Sequence, residues 1–256
     1  MIRRILRTLF DHTGVILYKR PRHNGRASFS IDGLHYGFTL PQSNYAPWEG
    51  DVAFQSIHRE IRGHTLVDVY RCHELWQLVE KVQQLDPAAA ILEVGVWRGG
   101  TAAVMARRLL DLKSPATLYL ADTFAGVAKA GANDAFYTGG EHHDTSQDTV
   151  EGLIKRTSAY PSTRVLKGIF PDETGGLIHA GQKFSLCHID VDVYDSAKGV
   201  LDWVWPRLIP GGVVVFDDYG FHYCTGVAKL VEEYRRLDDR HVIHNLNGHA
   251  LMIRVR

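Results

Sequence analysis

Ala89-Ala90-Ile91-Leu92-Glu93-Val94-Gly95-Val96-Trp97-Arg98-Gly99-Gly100-Thr101 decides the fold. The apolar run Ala89–Val96 has the length of a buried strand. Glycines at 95, 99 and 100 then open a helical pattern that continues to about Asp111. The strand–turn–helix theme repeats downstream. Thr117–Ala121 is a second apolar run, ending at Asp122, and Ser146 caps a helix to about Ser158. Arg164–Leu166, Phe184–Val191 and Gly212–Phe216 read as further strands, with helices at Ala197–Leu208 and 225–236. Strands alternating with helices imply right-handed crossovers and a parallel, doubly wound α/β sheet. His241–Leu246 and Ala250–Val255 flank Asn247-Gly248, a connection too short for a parallel crossover, so they pair as an antiparallel hairpin. Nicotinamide-binding folds instead end on a parallel sixth strand.

Upstream, Val69, Cys72, Leu75, Trp76, Val79 and Val82 predict a helix over 68–84, and Asp51 caps one over 51–62. Ser28–Ile31 and Leu34–Phe38 alternate around Asp32-Gly33 and read as a hairpin. Everything before about residue 86 reads as an accessory layer. The domain division is placed at 60/61, with an accessory or substrate-lid segment before a catalytic domain.

The 256 residues carry 29 basic and 29 acidic side chains, a balance that excludes a general nucleic-acid binder. No apolar run is long enough for a membrane span. Cys72, Cys187 and Cys224 are too few and scattered for a disulfide framework or zinc cluster, and buried reduced thiols in a cytoplasmic protein are expected. Residues 1–26 are basic, with only Asp11 opposing seven Lys and Arg. That segment is either an ordered arm or a contact for anionic membrane or phosphate.

The chemistry gathers at strand ends. The glycine spacing is not the dinucleotide fingerprint. Gly95 lets backbone approach a ligand, while Glu93 either accepts from an ammonium or orders the loop. Asp122, ending the next strand, can accept both hydrogen bonds of a ribose diol. A ligand with a ribose, an amino-acid tail and no pyrophosphate fits, and S-adenosylmethionine is one. Asp190 ends the fourth strand, and Asp217 and Asp218 the fifth. Adjacent strands bring these carboxylates to one point, where a hard divalent cation (Mg²⁺, Mn²⁺ or Ca²⁺) relieves their repulsion. Such a cation beside a methyl donor can chelate two vicinal oxygens and lower the pKa of the reacting hydroxyl. A carboxylate or His then takes the proton.

At these residues the sequence resembles the macrocin/mycinamicin/novobiocin (TylF-like) O-methyltransferase family, metal-dependent class I methyltransferases acting mainly on sugar hydroxyls. The segments that carry the resemblance are Glu93–Thr101, Ala121–Gly126, Gly168–Thr174, His188–Ser196 and Pro210–Gly220, and the likeness covers roughly residues 60–256. It implies a seven-stranded sheet of order 3-2-1-4-5-7-6 with the last strand antiparallel. It implies that Asp190, Asp217 and Asp218 ligate Mg²⁺, with Asp190 also the general base. Glu93, Gly95, Thr101 and Asp122 would hold S-adenosylmethionine, with Thr65-Leu66-Val67 over its methionine end and Gly168-Ile169 on the adenine side. The family commonly has Asp-Gly-Asp where this chain has Asp190-Val191-Asp192, and the first 50 residues match poorly.

Several residues keep two readings. His142 and His143 lie in a lid-length segment, either assisting proton transfer or simply exposed. Tyr45 and Trp48 are candidates to line a sugar site. Arg98 binds an anionic group or pairs with a surface acid. Asp192 follows the alternation of Asp190, whereas Asp195 either joins it or caps the next helix. The activity expected is methylation of a hydroxyl with a vicinal oxygen on a sugar of a natural product or glycan. The rivals are a catechol-type O-methyltransferase and a catalytically silent S-adenosylmethionine-binding module. A homo-oligomer is expected.

Overall fold

Ile91 packs into one hydrophobic layer and Leu92 into another, and this alternation along a buried strand organises the molecule. A computed structural model describes residues 28–39 and 43–256. The basic segment 1–26 and the start of the 41–50 loop lie outside the described residues.

The chain separates into a unit ending at Leu40 and a unit from Pro41 onward. In the first, strands β1 (Ser28–Ile31) and β2 (Leu34–Gly37) pair antiparallel with Ile31 opposite Leu34. Asp32 (φ 51°) and Gly33 (φ 81°) supply the two left-handed residues that a tight hairpin turn needs.

The second unit begins with α1 (Pro47–Gly50), α2 (Val52–Glu60) and α3 (Val69–Leu85). It continues with β3 (Ala90–Val94), α4 (Gly100–Asp111), β4 (Leu118–Asp122), α5 (Gln147–Thr157) and β5 (Thr163–Lys167). Then come β6 (Phe184–Ile189), α6 (Tyr194–Val204), β7 (Leu208–Phe216), α7 (Thr225–Tyr234), β8 (Arg240–His244) and β9 (Ala250–Arg254). The sheet order is β5-β4-β3-β6-β7-β9-β8. Strands β3 to β7 are parallel, and β9 inserts antiparallel between β7 and β8. This is the topology implied by the sequence.

Strands β3 and β6 are buried at every position, as central parallel strands must be when both faces are covered. Ile91, Leu118, Leu186 and Val215 pack with α2–α5, whereas Leu92, Cys187, Val214 and Phe216 pack with α6 and α7. The compact units divide at 40/41, whereas the boundary expected at 60/61 separates an accessory segment from the catalytic domain and stands as a proposal. Phe54 and Ile57 of α2 are fully buried in the same layer as Trp76, so α2 belongs to the core rather than to an appendage. Asp51 explains the anchorage: one oxygen caps α2 at Phe54 N (2.9 Å) and the other accepts from Trp76 Nε1 (2.9 Å).

Candidate functional site

The carboxyl ends of β3, β4, β6 and β7 open into a cavity of about 330 Å³, where ligands bind in open α/β sheets. Its floor is the turn after β3. Gly95 (φ 87°) and Gly99 (φ 87°) take the left-handed region that other residues avoid. A Cβ on Gly95 would stand 1.7 Å from the Asp190 carbonyl oxygen, so that glycine is required by the neighbouring strand end and not only by a ligand. A Cβ on Gly100 would meet His64 O and Thr65 Cβ at 2.6 Å, which shows how closely the 64–67 segment lies over the start of α4.

Thr65, Leu66, Val67, Gly95 and Thr101 line the cavity, as do Asp122, Gly168 and Ile169. Asp122 has a second task. Its Oδ2 accepts from the amides of Val96 (2.7 Å) and Trp97 (2.8 Å), and its Oδ1 from Phe124 N (2.7 Å). The acid therefore ties the glycine turn to β4, and any ribose contact uses the lone pairs that remain. Glu93 departs from expectation. It is fully buried, lies outside the cavity lining and faces His188 on the adjacent strand, with Oε1 2.9 Å from Nδ1.

The acidic wall comes from register. Ile189 pairs with Phe216, so the next residues, Asp190 and Asp217, emerge side by side with Asp218 following. One oxygen from each of the three carboxylates lies within 4.8 Å of the others. Oxygens bound at about 2.0–2.6 Å to one hard cation stand at most about 4–5 Å apart, so the donor set fits such an ion. The charges are compensated unevenly. Among the described residues no hydrogen-bond donor or cation pairs with the Asp190 carboxylate. Burial, then the Asp217 and Asp218 charges, push its pKa well above the usual range. Burial, then Asp192 and Asp217, do the same to Asp218. Burial would raise Asp217 too, but His188, His249 and Arg71 overcome it and hold that carboxyl well below the usual range. For His188 burial opposes protonation, yet the hydrogen bonds to Asp217 and Glu93 prevail and the pKa is pushed up to about 10.

Asp192 adopts φ 67° and its amide donates to Asp218 Oδ2 (2.8 Å). Its carboxylate accepts from the Tyr137 hydroxyl (2.5 Å), which leans in from the segment after β4. Asp195 does not join the site and caps nothing, lying in the first turn of α6. His142 lines the cavity beside Tyr137, whereas His143 is exposed and contacts Gly140 O. Arg98 pairs with Asp144, and Trp97 Nε1 donates to the same carboxylate. Neither Tyr45 nor Trp48 lines the cavity: Tyr45 is exposed, and Trp48 packs edge-on against Tyr70. Arg71, Tyr137, Phe221 and Tyr223 do line it and had no local signal in the sequence. No helix among the described residues is long and apolar enough to cross a membrane.

A glycine turn, an acid on the next strand and a β9 strand inserted antiparallel beside β7 mark the class I methyltransferase fold. Residues 47–249 match the Macrocin-O-methyltransferase (TylF) family, and the chain belongs to it. Mycinamicin III 3''-O-methyltransferase of Micromonospora griseorubida is 32% identical over 193 residues, 70% of this chain and 72% of that protein. The 8-demethyl-8-(2,3-dimethoxy-alpha-L-rhamnosyl)-tetracenomycin-C 4'-O-methyltransferase of Streptomyces olivaceus is 30% identical over 181 residues, 67% of each. The solved O-methyltransferase NovP superposes with a TM-score of 0.64 at 26% identity, covering 75% of this chain and 83% of that one.

Proposed function

We propose that the chain transfers the methyl group of S-adenosylmethionine to a sugar hydroxyl that has a vicinal oxygen, with a bound divalent cation. The observation that carries the reading is the meeting of Asp190, Asp217 and Asp218 on the cavity wall beside the glycine turn. The relatives named for rhamnosyl and mycinamicin substrates support a sugar of a natural product over a catechol.

Asp190, Asp217 and Asp218 would hold Mg²⁺, or Mn²⁺ or Ca²⁺ in its place. When bound, the ion supplies Lewis acidity that makes the acceptor hydroxyl easier to deprotonate. Gly95, Thr101 and the 65–67 segment would hold the cofactor, with Gly168 and Ile169 toward its adenine. Tyr137, Phe221 and Tyr223 give the acceptor region aromatic walls that suit the apolar face of a sugar and exclude water. Asp190, whose carboxylate has no donor among the described residues, would take the hydroxyl proton. Asp192 stands outside the Asp190, Asp217 and Asp218 set and accepts from the Tyr137 hydroxyl, so with the cation on those three it would offer a second base.

Asp217→Ala or Asp218→Ala is expected to abolish transfer while S-adenosylmethionine still binds, and chelator is expected to do the same to the wild-type chain. Full activity of either variant in chelator would refute the cation. Asp190→Asn should lose cation affinity and rate together. Asp192→Asn losing rate alone, by 100-fold or so, would move the base to Asp192. A screen of vicinal-diol sugars against catechols separates the acceptor classes.

A further inference from the structure

We propose that His249, in the turn between β8 and β9, is a positioning residue that holds the Asp217 carboxylate for the divalent cation. The inference rests on the cation reading above and adds to it a residue outside the five segments that carry the sequence resemblance. Phe216 pairs with Ala250 in the antiparallel register, so the preceding residue of β9 and the following residue of β7 face each other. That register sets His249 against Asp217, with Nε2 2.8 Å from Oδ1.

The imidazole is itself gripped. It is fully buried, and its Nδ1 contacts Glu74 of α3. Glu74 also accepts from the side-chain amides of Asn245 and Asn247, and the Asn247 side chain accepts from the His249 amide (3.0 Å). Gly248 (φ 116°) passes so close to Gly220 that their backbones bond at 2.8 Å. The turn is therefore anchored to α3 on one side and to the loop after β7 on the other.

At Asp217 the outcome is a carboxylate restrained on both edges. Oδ1 takes His249 and, at 3.4 Å, His188; Oδ2 takes Arg71. Asp190, in contrast, has no such restraint among the described residues. A ligand already oriented loses less rotational freedom when the ion arrives. Partners of this type are typically worth about 10–100-fold in metal affinity. His249 lies outside the cavity lining and reaches the site through its contact with Asp217.

Two isosteres separate positioning from mere packing. In His249→Gln the amide nitrogen reaches the place of Nε2 and keeps the Asp217 contact. In His249→Asn it reaches the place of Nδ1 and keeps only Glu74. Binding of Mn²⁺ to the full chain, saturated with S-adenosylhomocysteine, is read by electron paramagnetic resonance. Calorimetric affinity for S-adenosylhomocysteine and Tm serve as controls. The Asn variant is expected to bind Mn²⁺ at least about tenfold more weakly, and the Gln variant within about threefold of wild type, with S-adenosylhomocysteine affinity unmoved in both and Tm lowered to a similar extent in both. Glu74→Ala frees the ring from its far side and should weaken Mn²⁺ by about three- to tenfold, which carries the test if the Asn variant does not fold. Wild-type Mn²⁺ affinity in the Asn variant, or in Glu74→Ala where that one decides, overturns the proposal. So does a loss in both His249 variants that tracks Tm and S-adenosylhomocysteine affinity. Failure of the wild-type chain to bind Mn²⁺ overturns the cation reading and this one with it.

Discussion

Gly95→Ala tests whether the glycine turn and the acidic wall are one mechanical unit. The added Cβ would sit 1.7 Å from the Asp190 carbonyl oxygen, and real Cβ contacts do not fall below 3.0 Å. The two strand ends must therefore part by at least about 1.3 Å. Alanine at φ 87° adds the left-handed penalty, about 1–2 kcal/mol. Forcing packed backbone apart costs a further 1–3 kcal/mol or so. The variant should lose about 2–5 kcal/mol, which for a chain of this size lowers Tm by about 5–15 °C. Asp190 moves with its carbonyl, and a shift of about 1 Å in a catalytic group is worth about 100-fold in rate. Thermal unfolding and single-turnover methyl transfer, with S-adenosylmethionine and Mg²⁺ saturating, read both effects. A variant within 1 °C or so of wild-type Tm and within about twofold of its rate would refute the close approach, and with it the claim that Gly95 positions Asp190.

Gly100→Val puts its Cβ against His64 and Thr65 and should displace the 64–67 segment. Calorimetry should show about tenfold weaker S-adenosylhomocysteine binding and little change in Mn²⁺ affinity. Trp76→Ala empties the largest fully buried position and should cost about 3–5 kcal/mol in urea unfolding, whereas Trp76→Phe loses mainly the Asp51 hydrogen bond, about 1 kcal/mol. Burial, with the Arg108 charge assisting, depresses the pKa of His73, which packs against Phe54 and Trp48. The folded state then keeps this ring neutral while the unfolded chain takes up a proton below about 6.5. Its contribution is present above that pH and is lost as pH falls, so Tm of the wild type should drop more steeply than that of His73→Phe between pH 7 and 5.

Much of the fold was legible because its strands are continuous apolar runs separated by helix-length segments. The borders were harder. Strand β7 begins at Leu208 and runs through Pro210-Gly211-Gly212, residues that locally read as a turn; the matching irregularity in β6 falls between Phe184 and Leu186. Helix α6 begins at Tyr194, three residues before the apolar periodicity, because Asp195 suits a first turn electrostatically without contributing to the buried face. At the site, Asp190, Asp217 and Asp218 could be grouped because adjacent parallel strands end together. Glu93 could not be placed, since a strand buried on both faces gives no cue to which neighbour an acid meets; the register with His188 decides it. Arg71 and His249 reach Asp217 from sequence separations of 146 and 32 residues, and no local pattern encodes such a meeting.

Insertion of β9 between β7 and β8 also sets an order of assembly. During synthesis the β7 carboxylates are made before the strand that covers the β7 edge, and until β9 docks that edge is an open row of backbone donors and acceptors. A nascent or truncated chain can therefore bring Asp190, Asp217 and Asp218 together with nothing on the His249 side. Docking of β9 therefore closes an aggregation-prone edge in the same step that brings His249 against Asp217.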